Sequence, residues 1–180
     1  MKKLLFSIVF LSFFNFYSNA QIGIRAGVNL SNITYDLDGG SLSFDNRVGF
    51  HFGLNKSFVL SNNFDFRPGI QYSIKGAKSD DTNISLGYIE VPLDFIYRTG
   101  TDGIFINLGP YLGFSMSAKA DDVDVKENIE SLDFGINVGA GYKFTNFSLG
   151  VQYGLGLSNI DKTIGDSGSA KNKCIGIYFV

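Results

Sequence analysis

From Gln21 to the end of the chain, apolar and polar residues alternate with a period of two, the period of a β-strand. In Ile22–Ser31 the residues Ile22, Ile24, Ala26, Val28 and Leu30 share one face, and Gly23, Arg25, Gly27, Asn29 and Ser31 share the other. The same reading holds for Arg47–Asn55, Phe64–Lys75, Tyr88–Tyr97, Ile104–Ser117, Asp133–Tyr142, Phe147–Ser158 and Lys173–Val180. The pattern therefore predicts eight strands, most of them near the ~9–11 residues that a tilted membrane-crossing strand requires. The connections Asn32–Asn46, Ala77–Asn83, Lys119–Ser131 and Asn159–Asn172 are long, and Val59–Asn63, Arg98–Gly103 and Lys143–Asn146 are short. Strict alternation of long and short connections predicts an all-β, eight-stranded, antiparallel up-and-down transmembrane β-barrel with both termini at the short-turn end.

The first 20 residues read differently. Lys2 and Lys3 precede an apolar stretch from Leu4 to Phe14, and small residues follow at Ser18-Asn19-Ala20. That order is the order of a secretory signal peptide, and the apolar stretch is too short to span a bilayer. Cleavage near Ala20 is expected, leaving residues 21–180 as one barrel domain in the outer membrane. Loss of the two lysines leaves 13 basic against 17 acidic residues. An acidic balance argues against a nucleic-acid partner. The single Cys174 and single His51 leave no internal disulfide, no cysteine cluster and no multi-histidine metal site, and no cofactor is expected.

Alternation does not by itself say which face points outward, because a secreted lipocalin-like barrel also has eight strands and hides its apolar face. The composition of the polar face decides. A water-exposed surface carries about 25–35% charged residues, whereas this face is built from Gly, Asn, Ser and Gln and holds most of the 22 glycines. Glycine suits a narrow, crowded bore. The apolar face is bulky throughout, and Phe64, Tyr97, Phe147 and Phe179 near the short turns are placed to form an aromatic girdle. The apolar face is therefore expected to meet lipid. Pro68, Pro92 and Pro110 fall within strands of a barrel that has no edge, so bulges or ladder breaks are expected around them.

Strand parity puts Arg25, Arg47, Arg67 and Lys75 in the bore against Asp65, Glu90, Asp94 and Asp133, four charges of each sign, with His51 on the same face. Buried charges persist only when paired, and an eight-stranded bore is just wide enough for side chains to fill. A salt-bridged plug is the expectation, and a narrow polar channel the alternative. His51 with Ser115, Ser117 or Ser148 and Glu90 would be needed for a nucleophile–base–acid set, but no serine motif marks a nucleophile, so no catalytic site is expected. The outer loops are acidic: Asp36 and Asp38, then Asp80 and Asp81, then Asp121, Asp122, Asp124, Glu127 and Glu130. Gly39-Gly40-Ser41 breaks the spacing of an EF-hand calcium loop, which leaves solvated loop charge or divalent-ion bridging to lipopolysaccharide.

Several motifs carry a family likeness. Gly27-Val28-Asn29-Leu30-Ser31, Tyr88-Ile89-Glu90-Val91-Pro92-Leu93, Leu108-Gly109-Pro110-Tyr111-Leu112-Gly113, Asp133-Phe134-Gly135 and Tyr153-Gly154-Leu155 occur in that order. Together they resemble the PorT-like outer-membrane β-barrel family of Bacteroidota. The resemblance implies an eight-stranded outer-membrane barrel and accounts for Pro92 and Pro110 within strands. It also brings in assistance to protein secretion, the role of PorT itself. Chains of that family commonly end on an aromatic residue, whereas here Val180 follows Phe179. The expected role is non-enzymatic, structural or binding, through the outer loops. The expected partners are outer-membrane lipid and lipopolysaccharide, and periplasmic chaperones and the barrel-assembly machinery during biogenesis, with a secretion machine as the further candidate. Behind this role stand three others: a secretion or assembly accessory, a narrow pore and a lipid-modifying hydrolase.

Overall fold

In the computed structural model, residues 21–37, 40–79, 82–100, 103–164 and 168–180 are described. The N-terminal segment 1–20, Asp38, Gly39, Asp80 and Asp81 lie outside them. The strands are β1 (Gln21–Leu37), β2 (Gly40–Ser43), β3 (Asp45–Val59), β4 (Phe64–Ser79), β5 (Thr82–Arg98), β6 (Gly103–Ala120), β7 (Val123–Asp124), β8 (Leu132–Lys143), β9 (Ser148–Gly156) and β10 (Gly168–Phe179). Eight of them run in sequence order around a ring, β1-β3-β4-β5-β6-β8-β9-β10, with every neighbour antiparallel. The ring closes where β10 pairs with β1, from Ala26↔Phe179 to Leu37↔Gly168. Closure leaves no open edge, so the backbone groups of a lipid-embedded sheet are satisfied within the wall. β2 and β7 are short hairpin partners of β1 and β6, formed within regions the sequence pattern assigns to loops.

The apolar face points outward. Ile22 is 74% exposed, Ile177 54% and Val138 51%, while Arg25, Asn29, Asp94 and Asp133 are buried. A lipocalin-like barrel has the opposite polarity, so the lipid-facing reading holds. At the turn end, aromatic rings on this outer face touch in series. Phe147 lies 4.6 Å from Phe144 and 5.3 Å from Phe179, centroid to centroid, and Phe64 lies 5.0 Å from Tyr97. The four residues expected in the girdle are therefore in it, joined by Phe144.

Most strands run further than the sequence pattern indicates; β3 gains Lys56–Val59 at the turn end, but most of the extra length lies at the loop end. There the two faces exchange character. Along β1 the inward side chains change from Arg25, Asn29 and Ser31 to Ile33 and Tyr35, while the outward ones change from Ile24, Val28 and Leu30 to Asn32 and Asp36. On β10 the outward face changes between Ile175 and Lys173, and Lys173 pairs with Asn32. A wall apolar outside is a membrane wall; one polar outside and apolar inside is that of a water-soluble protein. The crossing point marks the upper edge of the lipid belt. Above it, Ile33, Ala77, Leu86, Tyr88, Ala118, Ile129, Ile160 and Ala170 form one buried apolar cluster inside the barrel mouth. The predicted second long loop, Ala77–Asn83, is thus mostly strand, with Ala77 in the wall and Thr82 already back in β5.

The three prolines converge on one patch of the wall. Pro68 of β4 and Pro110 of β6 flank Leu93 of β5, and Pro92 stands opposite Tyr111. Register is kept across the patch, but the β4–β5 ladder lapses between Pro68↔Leu93 and Gln71↔Glu90, and the β5–β6 ladder between Pro92↔Tyr111 and Phe95↔Leu108. Proline donates no ladder bond, and the wall accepts the gap. Two true register shifts lie elsewhere, between Asn46 and His51 on β3 and between Gly87 and Tyr88 on β5.

Candidate functional site

The bore is the place where charge, burial and polar geometry concentrate. Small residues make room for large ones across it. A Cβ on Gly150 would sit 2.5 Å from the Tyr178 ring, and one on Gly135 2.7 Å from the Tyr111 ring. Each glycine is a slot for the aromatic side chain of a neighbouring strand, which explains why a glycine-rich face and a filled bore go together.

Two polar layers cross the bore. In the layer toward the loop end, Lys75 of β4 pairs with Glu90 of β5 and stands 3.7 Å from Asp133 of β8. Gln71 donates to Glu90 at 2.9 Å. Asp133 accepts from Ser158 and Asn172, both at 3.0 Å, and Tyr111 donates to it at 3.3 Å. In the layer toward the turn end, the Arg25 guanidinium pairs with Asp94 at 3.0 Å, donates to Gln152 and lies over the Tyr178 ring at 4.0 Å. Lowest of all, Asp65 accepts a hydrogen bond from Arg98 Nη2 at 2.8 Å and stands 2.8 Å from its Nε in the same ion pair.

Eight of the nine residues expected in the network are buried in the bore: Arg25, His51, Asp65, Arg67, Lys75, Glu90, Asp94 and Asp133. Arg47 is the correction. It stands opposite Ser31 in the β1–β3 ladder, but its side chain is only half-buried and turns to Asn83 near the loop end, where its Nε donates to Oδ1 at 2.8 Å. Its place in the charge count is taken by Arg98, which parity at the end of a predicted strand did not include. Arg67 is buried but has no carboxylate within ion-pair distance among the described residues, and its guanidinium faces the rings of Phe105 and Tyr178 at 5.9 and 6.0 Å.

His51 sits against Gly27, where an added Cβ would fall 2.5 Å from the imidazole. Its Nδ1 hydrogen-bonds Asn29 Oδ1 at 2.8 Å, and Asn29 donates onward to Ser73 at 3.1 Å. No serine hydroxyl hydrogen-bonds the imidazole among the described residues, and Glu90 is engaged by Lys75 and Gln71. The structure does not assemble His51, Glu90 and Ser115, Ser117 or Ser148 into a nucleophile–base–acid set.

Both ends of the bore are shaped. At the loop end the third and fourth connections are zipped together over the apolar cluster. Glu130 N–H donates to Ile160 O and Lys162 N–H to Asn128 O, both at 2.9 Å, and Ile129 bridges Asp161. The acids Asp121, Asp122, Asp124 and Glu127 are exposed on this cap. Asp121 accepts from Asn83 N–H and Asp124 from Lys126 N–H, so these two fix local turns. At the turn end the bore opens into a cavity of 410 Å³.

These features (a closed eight-stranded wall, an apolar exterior belt, a polar filled bore) are those of an outer-membrane barrel, and the sequence agrees. The model of the outer membrane protein beta-barrel domain family matches residues 13–162. The chain belongs to that family. As a member of the outer membrane protein beta-barrel domain family it resides in the bacterial outer membrane. No curated protein matches it in sequence. Solved structures similar to it include Ail, the attachment invasion locus protein of Yersinia pestis, at 17% identity, covering 88% of this chain and 97% of Ail with a TM-score of 0.49. Neisserial surface protein A is similar at 15% identity over 90% of this chain and 97% of its own, TM-score 0.48. The outer membrane enzyme PagL is similar at 16% identity over 84% and 98%, TM-score 0.45.

Proposed function

We propose that this barrel is sealed and non-enzymatic, and that it serves as an outer-membrane scaffold or binding protein acting through its loop-end surface. The observation that carries this reading is the double closure of the bore. Paired charges fill it at membrane depth, and a packed apolar cap formed with the third and fourth loops closes it above. A conducting pore needs a continuous wet path, and layers of interdigitated side chains in a narrow barrel oppose one. The functional surface is then the outside of the cap and the collar beneath it. Lys171 and Lys173 of β10, Lys119 of β6 and Lys78 of β4 lie just above the lipid belt. Their charge complements the phosphates of lipopolysaccharide, the lipid partner proposed for this collar. Purified barrel inserted into planar bilayers is expected to give no stepwise conductance above the bare membrane. Reproducible ohmic steps would overturn the sealed reading in favour of a narrow pore.

A second reading, accessory to a secretion or assembly machine, is favoured by the PorT-like motifs on β5 and β6. Their signature residues meet in the wall, with Glu90 opposite Gly113 and Pro92 opposite Tyr111. Crosslinking in intact cells followed by purification from the outer membrane separates the two readings. A near-stoichiometric protein partner supports the accessory; recovery with lipopolysaccharide alone supports the self-sufficient barrel.

A further inference from the structure

Charge is not evenly distributed along the bore. Toward the loop end, Lys75 faces two carboxylates, Glu90 and Asp133. Toward the turn end, Arg25 takes Asp94 and Arg98 takes Asp65, which leaves the Arg67 guanidinium without an ion pair. The surplus cation of the lower bore is also one of its most enclosed groups, 5% exposed. An uncompensated charge in such a place is costly, and a counterion relieves the cost.

The open space that meets Arg67 is the turn-end cavity, which is lined by Arg67, Arg98, Asp65 and Asn55 and rimmed by Lys143 and Thr145. Arg67, Arg98 and Lys143 face one side-chain carboxylate, Asp65, and Val180 also lines the cavity. The unsatisfied atoms point the same way. Arg67 Nε and Nη2 and Asn55 Nδ2 are buried and lack hydrogen-bond partners, and every one is a donor. A cavity whose buried unsatisfied side-chain atoms are all donors, with cationic side chains in excess around them, favours an acceptor-rich anion over a cation or a sugar. Nε and Nη2 lie along one edge of the guanidinium, and that edge matches two oxygens of a carboxylate or phosphate in a bidentate pair.

We infer that the turn-end cavity is a binding site for a small oxyanion group, carboxylate or phosphate, held by Arg67 with help from Asn55 and Lys143. Because this end carries the start of β1, the end of β10 and the short turns, the ligand arrives from the periplasmic side. The cavity admits a free ion or the terminal group of a larger molecule.

The test is a titration of the ¹⁵N-labelled, detergent-folded barrel with inorganic phosphate, and separately with acetate, at constant ionic strength kept with chloride. Saturable amide shifts at Ser57, Lys143 and Thr145, with Asn159 and Lys162 at the far end unmoved, are expected for at least one anion. Which anion saturates first assigns the phosphate or the carboxylate class. Arg67→Gln is expected to weaken that binding about tenfold or more, the value of a charge-assisted hydrogen bond. Lys162→Gln should leave it unchanged. If Arg67→Gln does not fold, Lys143→Gln at the rim, which spares the buried layers, should weaken binding severalfold. Shifts that rise linearly without saturating for both anions, that spread over both ends, or that survive intact in the Arg67 or Lys143 variant would overturn the site.

Discussion

Replacing Lys75 with Met is expected to destabilise the barrel by about 3–5 kcal/mol, the cost of breaking a buried ion pair by removing one partner. Among the described residues Lys75 is the one cation of the upper layer, and its loss strands Glu90 and Asp133 together without a counter-charge. Two like charges at short range also repel, so the damage exceeds that of a lone orphan. The midpoint of urea unfolding in micelles, followed by heat-modifiable gel migration, reads the effect. The charge-balanced variant Lys75→Met/Glu90→Gln/Asp133→Asn should recover most of the loss, because the amides keep hydrogen-bond partners such as Gln71, Ser158 and Asn172. A triple variant as unstable as the single one would mean that Lys75 acts through packing against Tyr88 and Tyr111 and not through charge.

The second large effect is expected on the outer wall. Val138 lies within the lipid belt on β8, 51% exposed and paired with Leu108 and Tyr153, both outward. Val138→Arg should cost about 2–4 kcal/mol in a bilayer, the range for a cation at depth on the lipid face of a barrel. The matched change above the belt, Ser43→Arg on β2, should cost under about 1 kcal/mol, because Ser43 is exposed on a stretch of wall that faces water. Refolding the two variants into lipid vesicles and comparing their unfolding midpoints places the upper edge of the membrane between them. Equal costs would mean that the exchange of faces near Asn32 is not the membrane boundary.

Much of this was legible in the sequence, and the misses have physical causes. Period-two alternation found all eight wall strands because a barrel wall imposes one polarity on every strand it contains. Alternation also continues through Ile33-Thr34-Tyr35-Asp36 and through Ile84 and Leu86, but with the faces exchanged. A reading that follows only apolar-outward polarity ends each strand at the lipid boundary and takes the remainder for loop. Arg47 was misplaced because parity gives a face and not a depth: it stands opposite Ser31, but at the loop end its long side chain leaves the bore for Asn83. Arg98 was missed because it closes its strand beside a short turn, where a charged residue looks solvated until its carboxylate, Asp65, is seen across the sheet. The prolines were rightly read as ladder interruptions, but their convergence around Leu93 depends on how three strands align.

The zipped third and fourth connections carry a consequence for recognition. Where Asn128–Glu130 meets Ile160–Lys162 the two backbones are tied to each other and to a hydrophobic nucleus, so that part of the outward surface is already ordered before anything approaches it. Association with flexible loops must first freeze them, at about 0.5–1.5 kcal/mol for each immobilised side chain and more for backbone. Here that ordering entropy was lost at the folding step, and an approaching molecule meets a rigid shape it must complement as it stands. Selectivity at such a surface comes from fit, and change in one of these two connections must be matched in the other.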